Sequence, residues 1–229
     1  MSFSAWLQQL DFGYLIELLV TAAAALLCIT FHESAHGLSA LWLGDDTAKR
    51  QKRISLNPLR HVDPVGLVMM VIFHFGWAKP VSVNMYRFKN PKTGMALTAA
   101  AGPVSNVLLA LIALLLWYPC VFASVYRGGA AWEYAAMFFQ YVVIISAGLA
   151  VFNLIPIPPL DGSKVLFSLL PQRAYAVLMR YERYGFLILV ALLVLNVLDV
   201  PLAFLRTGLL DGLQFVLRPY ADFIQTLFW

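Results

Sequence analysis

From Phe12 to Leu43 the chain is almost continuously apolar, and further runs of the same kind lie at about 94–118, 132–155 and 184–200. A helix needs about 20 such residues to cross a bilayer, so each run predicts a transmembrane helix. A shorter run over 65–78 has basic residues on both sides, at Arg60 and Lys79, and predicts a segment that dips into the membrane without spanning it. Between Pro80 and Phe88 the period changes: Val81, Val83 and Met85 alternate with Ser82, Asn84 and Tyr86, the pattern of a short interfacial strand or hairpin. In the tail, about 203–229, Asp211, Gln214, Arg218, Asp222 and Gln225 recur at helical spacing among apolar residues. That spacing predicts an amphipathic interfacial helix interrupted at Pro219, with a helix packed in an oligomer interface as the competing reading. The expected fold class is an all-α polytopic membrane protein, a bundle of about four to six transmembrane or membrane-dipping helices with one short interfacial β-hairpin or strand. The whole of 1–229 is expected to form one domain, with a core over about 13–170 and a C-terminal span and amphipathic helix over about 184–229.

Composition agrees with a multi-pass membrane protein. Of 229 residues, 61% are apolar and only 12% charged, and the mean hydropathy is +0.77. The net charge of +4 would suit a nucleic-acid partner, but the basic residues sit in short loops beside apolar runs, where they orient helices. No nucleic acid is expected. Lys49, Arg50, Lys52, Arg53 and Arg60 follow the first helix, whereas residues 1–10 contain no Lys or Arg. The positive-inside rule therefore puts the C-terminal end of that helix in the cytoplasm. The missing basic residues and the length of the run argue for a retained helix, not a cleaved signal peptide. Cys28 and Cys120 lie in apolar runs at no ligand-like spacing and read as buried free thiols.

Chemistry enters in the C-terminal half of the first run, where residues 31–36 read Phe-His-Glu-Ser-Ala-His. In this H-E-x-x-H arrangement, His32 and His36 are four residues apart, so on a helix both imidazoles leave one face and can bind one Zn²⁺, with Glu33 beside them as a base. Two histidines and a glutamate in lipid have few bland explanations. A catalytic zinc takes three protein ligands and keeps a position for water. Asp161 is the candidate third ligand: it follows Pro156, Pro158 and Pro159, which force the backbone to turn, and precedes Gly162, which permits close approach. An Asp-Gly turn at a helix end is the plainer reading of that residue. His61 and His74 have no metal spacing and read as structural or interfacial.

With these residues in view, the chain resembles the site-2 protease family of intramembrane zinc metalloproteases. The resemblance rests on His32-Glu33-Ser34-Ala35-His36, on Gly102-Pro103-Val104-Ser105-Asn106 in the second long run, and on the Asn153 to Gly162 segment ending in Leu-Asp-Gly. The stretches Asn57 to Pro64 and Gly76 to Val81 look like the compact bacterial and archaeal members, so the likeness covers about residues 15–165. The form is that without an inserted PDZ domain or an appended regulatory domain. The resemblance implies that His32, His36 and Asp161 hold one Zn²⁺ per chain, with Glu33 as general base. Asn106 would stand near the zinc to steady an oxyanion or hold substrate, and Asn153 would fix the Leu-Asp-Gly loop or a substrate strand. For Asn106, a helix–helix hydrogen bond among small residues is the equal alternative.

The implied activity is zinc-dependent hydrolysis of peptide bonds within or next to transmembrane segments. Because a helical substrate hides its peptide bonds, local unwinding is required, and the 80–88 strand is expected to hold the unwound chain by edge pairing. The expected partners are a transmembrane protein substrate and the lipid bilayer, with a homo-oligomer admitted by the competing reading of the tail. The expected setting is a prokaryotic cell membrane with the active site nearer the cytoplasm. Three other readings compete. A prenyl-protein-processing metalloprotease would call for a downstream Glu ligand, and Glu133 and Glu182 lack that context. A zinc carrier would need ligands along a path. An inactive scaffold would have no use for Glu33.

Overall fold

The computed structural model describes residues 12–63 and 79–228. Its helices are α1 (Phe12–Trp42), the single turn α2 (Thr47–Arg50), α3 (Pro91–Tyr126), α4 (Ala130–Asn153), α5 (Asp161–Ser168), α6 (Gln172–Val194) and α7 (Asp199–Thr226). Among the described residues, α1, α3, α4 and α7 are long and apolar enough to cross a membrane. The protein is an all-α, multi-pass membrane protein. The expected dipping segment 65–78 lies outside the described residues.

Helix starts follow local chemistry. Asn90 accepts a hydrogen bond from the Thr93 amide and Pro91 takes the first helical position, where a missing N–H costs nothing. Small residues set the crossings: Ala24, Cys28, Ala110, Ala147 and Ala150 are fully buried, which lets helix backbones approach closely where lipid offers no hydrophobic drive. Between them Leu109, Leu114, Val142, Val143 and Leu217 close the core. Within it the Cys28 thiol donates to the Val142 carbonyl at 3.6 Å and accepts from the Ser146 hydroxyl at 3.2 Å, so the expected free, buried thiol is what is found.

The contacts fix the helix directions. His36 meets Thr98 and His32 meets Asn106, so α1 and α3 run antiparallel. Glu17 pairs with Tyr141, and Cys28 with Ser146, so α1 and α4 run parallel. One end of the bundle then carries the C-terminal half of α1, the start of α3 and the loop after α4. The other end carries Glu17, Tyr126 and the start of α4.

Three expectations need correction. First, no strand forms over 80–88: the chain there is unpaired by any strand and closes in a 3-10 turn over Met85–Arg87. Side chains have taken the amides that a ladder would use. Glu33 accepts from Val81 N–H at 2.9 Å, Asp45 accepts from Asn84 N–H at 2.6 Å, and the Asn84 side chain accepts from Tyr86 N–H at 3.1 Å.

Second, 184–200 is not a span. Helix α6 begins at Gln172, and its apolar part, Tyr184–Val194, is too short to cross. Lys92 sits over the Tyr175 ring, and Gly185 packs against Pro158. Asp199, after α6, shares a cavity with Phe152. Helix α6 therefore stays at the end of the bundle that carries His32 and His36.

Third, the tail does not lie on the interface. Helix α7 runs the length of the bundle from Asp199 beside Gly148 and Phe152 to Phe228 against Phe122 and Tyr126. The Tyr220 hydroxyl donates to the Leu115 carbonyl at 3.0 Å on the way. Pro219 is accommodated inside the helix.

Candidate metal centre

On α1, one helical turn places His32 and His36 over the same spot, with ring centroids 4.6 Å apart and planes at 88°. Their Nε2 atoms are 3.1 Å apart. Asp161 Oδ2 lies 3.2 Å from Nε2 of His32 and 3.1 Å from Nε2 of His36, forming a nearly equilateral triangle from three nearly buried side chains. Three bonds of about 2.0–2.1 Å at tetrahedral angles span edges of about 3.3 Å, so the triangle matches one face of a zinc tetrahedron and leaves the fourth vertex open.

The ring protons support that reading. His36 Nδ1 is 2.7 Å from the Thr98 carbonyl, which only accepts, so Nδ1 carries the proton and Nε2 offers a lone pair. His32 Nδ1 is 3.3 Å from the Asn106 amide. Asn106 is fully buried and its Oδ1 has no other partner among the described residues. With the amide turned so that Oδ1 faces the ring, Asn106 accepts from His32 Nδ1–H and the second Nε2 lone pair is also freed. Two lone pairs and a carboxylate oxygen within 3.2 Å repel one another unless a cation sits among them.

Asp161 is not at the end of α4. It stands at the first position of α5, after the proline-rich turn 154–160. The next residue explains the Leu-Asp-Gly sequence: a Cβ on Gly162 would lie 2.7 Å from the Ile155 carbonyl oxygen and closer still to that of Leu154. A parallel constraint acts on α3. A Cβ on Gly102 would lie 2.5 Å from Cε1 of His36 and 2.6 Å from Cε1 of His32. Thr98, Gly102 and Asn106, each four apart, thus form one stripe of α3 against the two rings. Of the three, the sequence pattern assigns a role to Asn106 alone, names Gly102 only as part of its motif and leaves Thr98 out, although the i, i+4, i+8 spacing is legible there.

A cavity of about 600 Å³ opens onto the triad, lined in part by Glu33, Val81, Val83, Asn153 and Lys164. Glu33, the expected base, faces it with its carboxylate held by the Val81 amide. Asn153 also faces it, and its Nδ2 donates to the Leu149 carbonyl at 3.0 Å. Asn106 is not on the cavity wall, since it sits behind His32. Lys164 and the Val81 amide escaped the sequence reading, the latter because a backbone donor has no residue type to betray it. His61 is structural as expected: it is buried, with Nε2 2.8 Å from the Ser55 carbonyl. His74 lies outside the described residues.

The segment that carries Val81 is tied down a second time. Asp45 is fully buried and accepts from the Thr47 amide and hydroxyl and from the Asn84 amide, with Arg87 nearby at 3.9 Å. Burial pushes its carboxyl up, but those hydrogen bonds and the Arg87 charge together bring it below the ordinary aspartate value.

A family profile described as Peptidase family M50 matches residues 119–196, a stretch that contains Asp161 but not the two histidines. YwhC of Bacillus subtilis, whose name designates a zinc metalloprotease, is 38% identical over 170 residues, covering 72% of this chain and 75% of its own. Rip2 of Mycolicibacterium smegmatis, with the same designation, is 27% identical over 195 residues, or 82% of this chain and 71% of its own. A similarly designated Methanocaldococcus jannaschii protein is 29% identical over 103 residues, 44% of this chain and 49% of its own. No solved structure matches the chain significantly.

Proposed function

This chain belongs to peptidase family M50, the site-2 protease family, and on that premise we propose that it is a zinc-dependent endopeptidase that cuts membrane proteins within or next to their transmembrane segments. The observation that carries the proposal is the triad of His32, His36 and Asp161, with ligand atoms 3.1–3.2 Å apart, sharing one cavity with Glu33, where both histidines and Glu33 stand on a helix long and apolar enough to cross the membrane. His32, His36 and Asp161 would hold the zinc. When bound there, the metal supplies Lewis acidity, which makes water nucleophilic near neutral pH and polarises a carbonyl.

Glu33 takes a proton from the attacking water as its oxygen bonds to the scissile carbonyl carbon. The same carboxylate delivers that proton to the amide nitrogen as the C–N bond breaks, so one group serves as base and then acid. The Val81 N–H holds one carboxylate oxygen of Glu33 and leaves the other to reach the water. Asn106, fully buried, would orient His32 from behind and not touch an oxyanion, whereas Asn153, on the cavity wall, would touch the substrate. The substrate enters unwound, because a helix keeps its carbonyls bonded internally. The amides of Ser82 and Val83, unpartnered among the described residues, are available to an extended chain lying along 80–84.

The test is Glu33→Gln in reconstituted membranes with a model transmembrane substrate. Zinc content is expected to stay at one per chain while cleavage is lost. Unchanged cleavage would refute the assignment of the base and with it the proposed chemistry.

A further inference from the structure

Among the described residues, Lys164 alone brings a fixed positive charge to the wall of the cavity at the metal triad. It stands three residues after Asp161 on α5, a spacing that makes the two neighbours on one helix face. Side chains on a helix lean towards its N-terminus. Asp161 is the first residue of α5, so the lean carries the Lys164 ammonium, on its flexible four-carbon stem, towards the triad. Glu33 and Asp161 share the cavity, yet Lys164 makes neither a hydrogen bond nor an ion pair among the described residues. An ammonium has three donors and no acceptor. What it can pair with, other than water, is an acceptor brought into the cavity.

We propose that Lys164 is a catalytic residue whose ammonium donates to the scissile carbonyl oxygen as that oxygen becomes an oxyanion, an inference that rests on the endopeptidase reading above. As the water oxygen bonds to the carbonyl carbon, the C=O pair moves onto the carbonyl oxygen and a water proton goes to Glu33. Lys164 holds the new charge by a hydrogen bond and keeps its own protons. When the pair returns to re-form C=O, the C–N bond breaks, its electrons stay on nitrogen, and nitrogen takes the proton from Glu33. The other donors leave this place open. Asn106 is fully buried behind His32, the Val81 amide is given to Glu33, and Asn153 spends an amide proton on the Leu149 carbonyl. The Thr98 hydroxyl is buried without a partner among the described residues, but a charged donor makes a hydrogen bond roughly twice as strong as a neutral one. The acceptor is a backbone oxygen because a segment drawn from the membrane brings few carboxylates, charge being disfavoured in lipid, whereas unwinding frees its carbonyls.

The test measures kcat, KM and zinc content for the full chain in liposomes with a model transmembrane substrate. Lys164→Met keeps an apolar stem and drops the charge, and it is expected to lower kcat about 10²–10³-fold, the effect of losing an oxyanion donor, with KM within about threefold of wild type and zinc content unchanged. Lys164→Arg keeps the charge and is expected to recover at least about tenfold of that loss. Binding supplies a second readout. A phosphinic peptide, whose tetrahedral anionic centre imitates the oxyanion, is expected to bind Lys164→Met at least about tenfold more weakly than wild type, while uncleaved substrate binds Glu33→Gln equally with or without Lys164→Met. A Lys164→Met kcat within about threefold of wild type, a loss carried by KM alone, or a matching loss of zinc would each overturn the proposal. If that happens while wild type cleaves and Glu33→Gln does not, the endopeptidase reading stands and only the role of Lys164 falls. A wild type that cleaves no transmembrane substrate, or a Glu33→Gln chain that cleaves normally, would sink both.

Discussion

Replacing Gly102 by alanine adds one methyl group, and its consequence can be worked out from the packing. The new Cβ would stand 2.5 Å from Cε1 of His36 and 2.6 Å from Cε1 of His32. Carbon atoms rest at about 3.5–4.0 Å, so both rings would have to retreat by roughly 1 Å. Neither can do so freely, because His36 is tied to Thr98 and His32 to Asn106. Metal–ligand distances tolerate only about ±0.2 Å. Losing one outer partner of a ligand typically costs about 10–100-fold in metal affinity. Displacing two ligands together is expected to cost at least about 10²-fold, together with about 1–3 kcal/mol of overpacking strain. The assay is zinc competition against a chromophoric chelator on purified, metal-stripped protein. Gly148→Ala is the control, since a Cβ there meets nothing within 4 Å; it should leave metal affinity unchanged. A Gly102→Ala protein that is folded and binds zinc within about threefold of wild type would refute the claim that helix α3 sets the ligand positions.

Other outcomes follow from the same contacts. Gly162→Ala pushes a methyl into backbone carbonyls that cannot rotate away, so a loss of at least about 3 kcal/mol in stability is expected by chemical denaturation in detergent; a loss below about 1 kcal/mol would contradict it. Val81→Pro removes the N–H that holds Glu33, and turnover should fall about 10²-fold with zinc content intact, as for a misplaced catalytic group; equal loss of zinc would show a wider collapse. Asp45→Asn removes a carboxylate whose folded value lies below its unfolded one, so the stability it contributes is present above the unfolded value of about 3.9 and is lost as pH falls through the lower folded value. The wild-type advantage over Asp45→Asn, read from unfolding curves at successive pH values, should therefore shrink on acidification below about pH 4. A constant difference from neutral pH to that range and beyond would be inconsistent with the cause given.

Local pattern was enough for helices α1, α3 and α4 and for the residue types that meet at the site. Apolar runs reveal the helices that cross, because lipid requires each segment to satisfy its own backbone. The H-E-x-x-H spacing brings two imidazoles and a carboxylate together, because the helical period alone puts His32 and His36 on one face. Asp161 was legible through its neighbours, since three prolines and a glycine leave the chain little choice but to turn there. Where two segments must meet, pattern failed. The alternation at 81–86 looks like a strand, yet Glu33 and Asp45 captured its amides from distant parts of the chain. Similarly, the run at 184–200 and the mixed tail each appeared to be the other's kind of element, and packing against α3 and α4 decided between them.

By itself, then, the sequence determined three of the four long membrane helices, α1, α3 and α4, and which residue types can hold a cation, because both depend on period and composition within a few turns. Tertiary structure alone decided the triangle of Nε2 and Oδ2 atoms, the approach of Gly102 to both rings and the Val81 amide on Glu33. Those depend on distances between residues as far apart as His32 and Asp161, and no local preference encodes such a distance; the packing of four helices through small residues does.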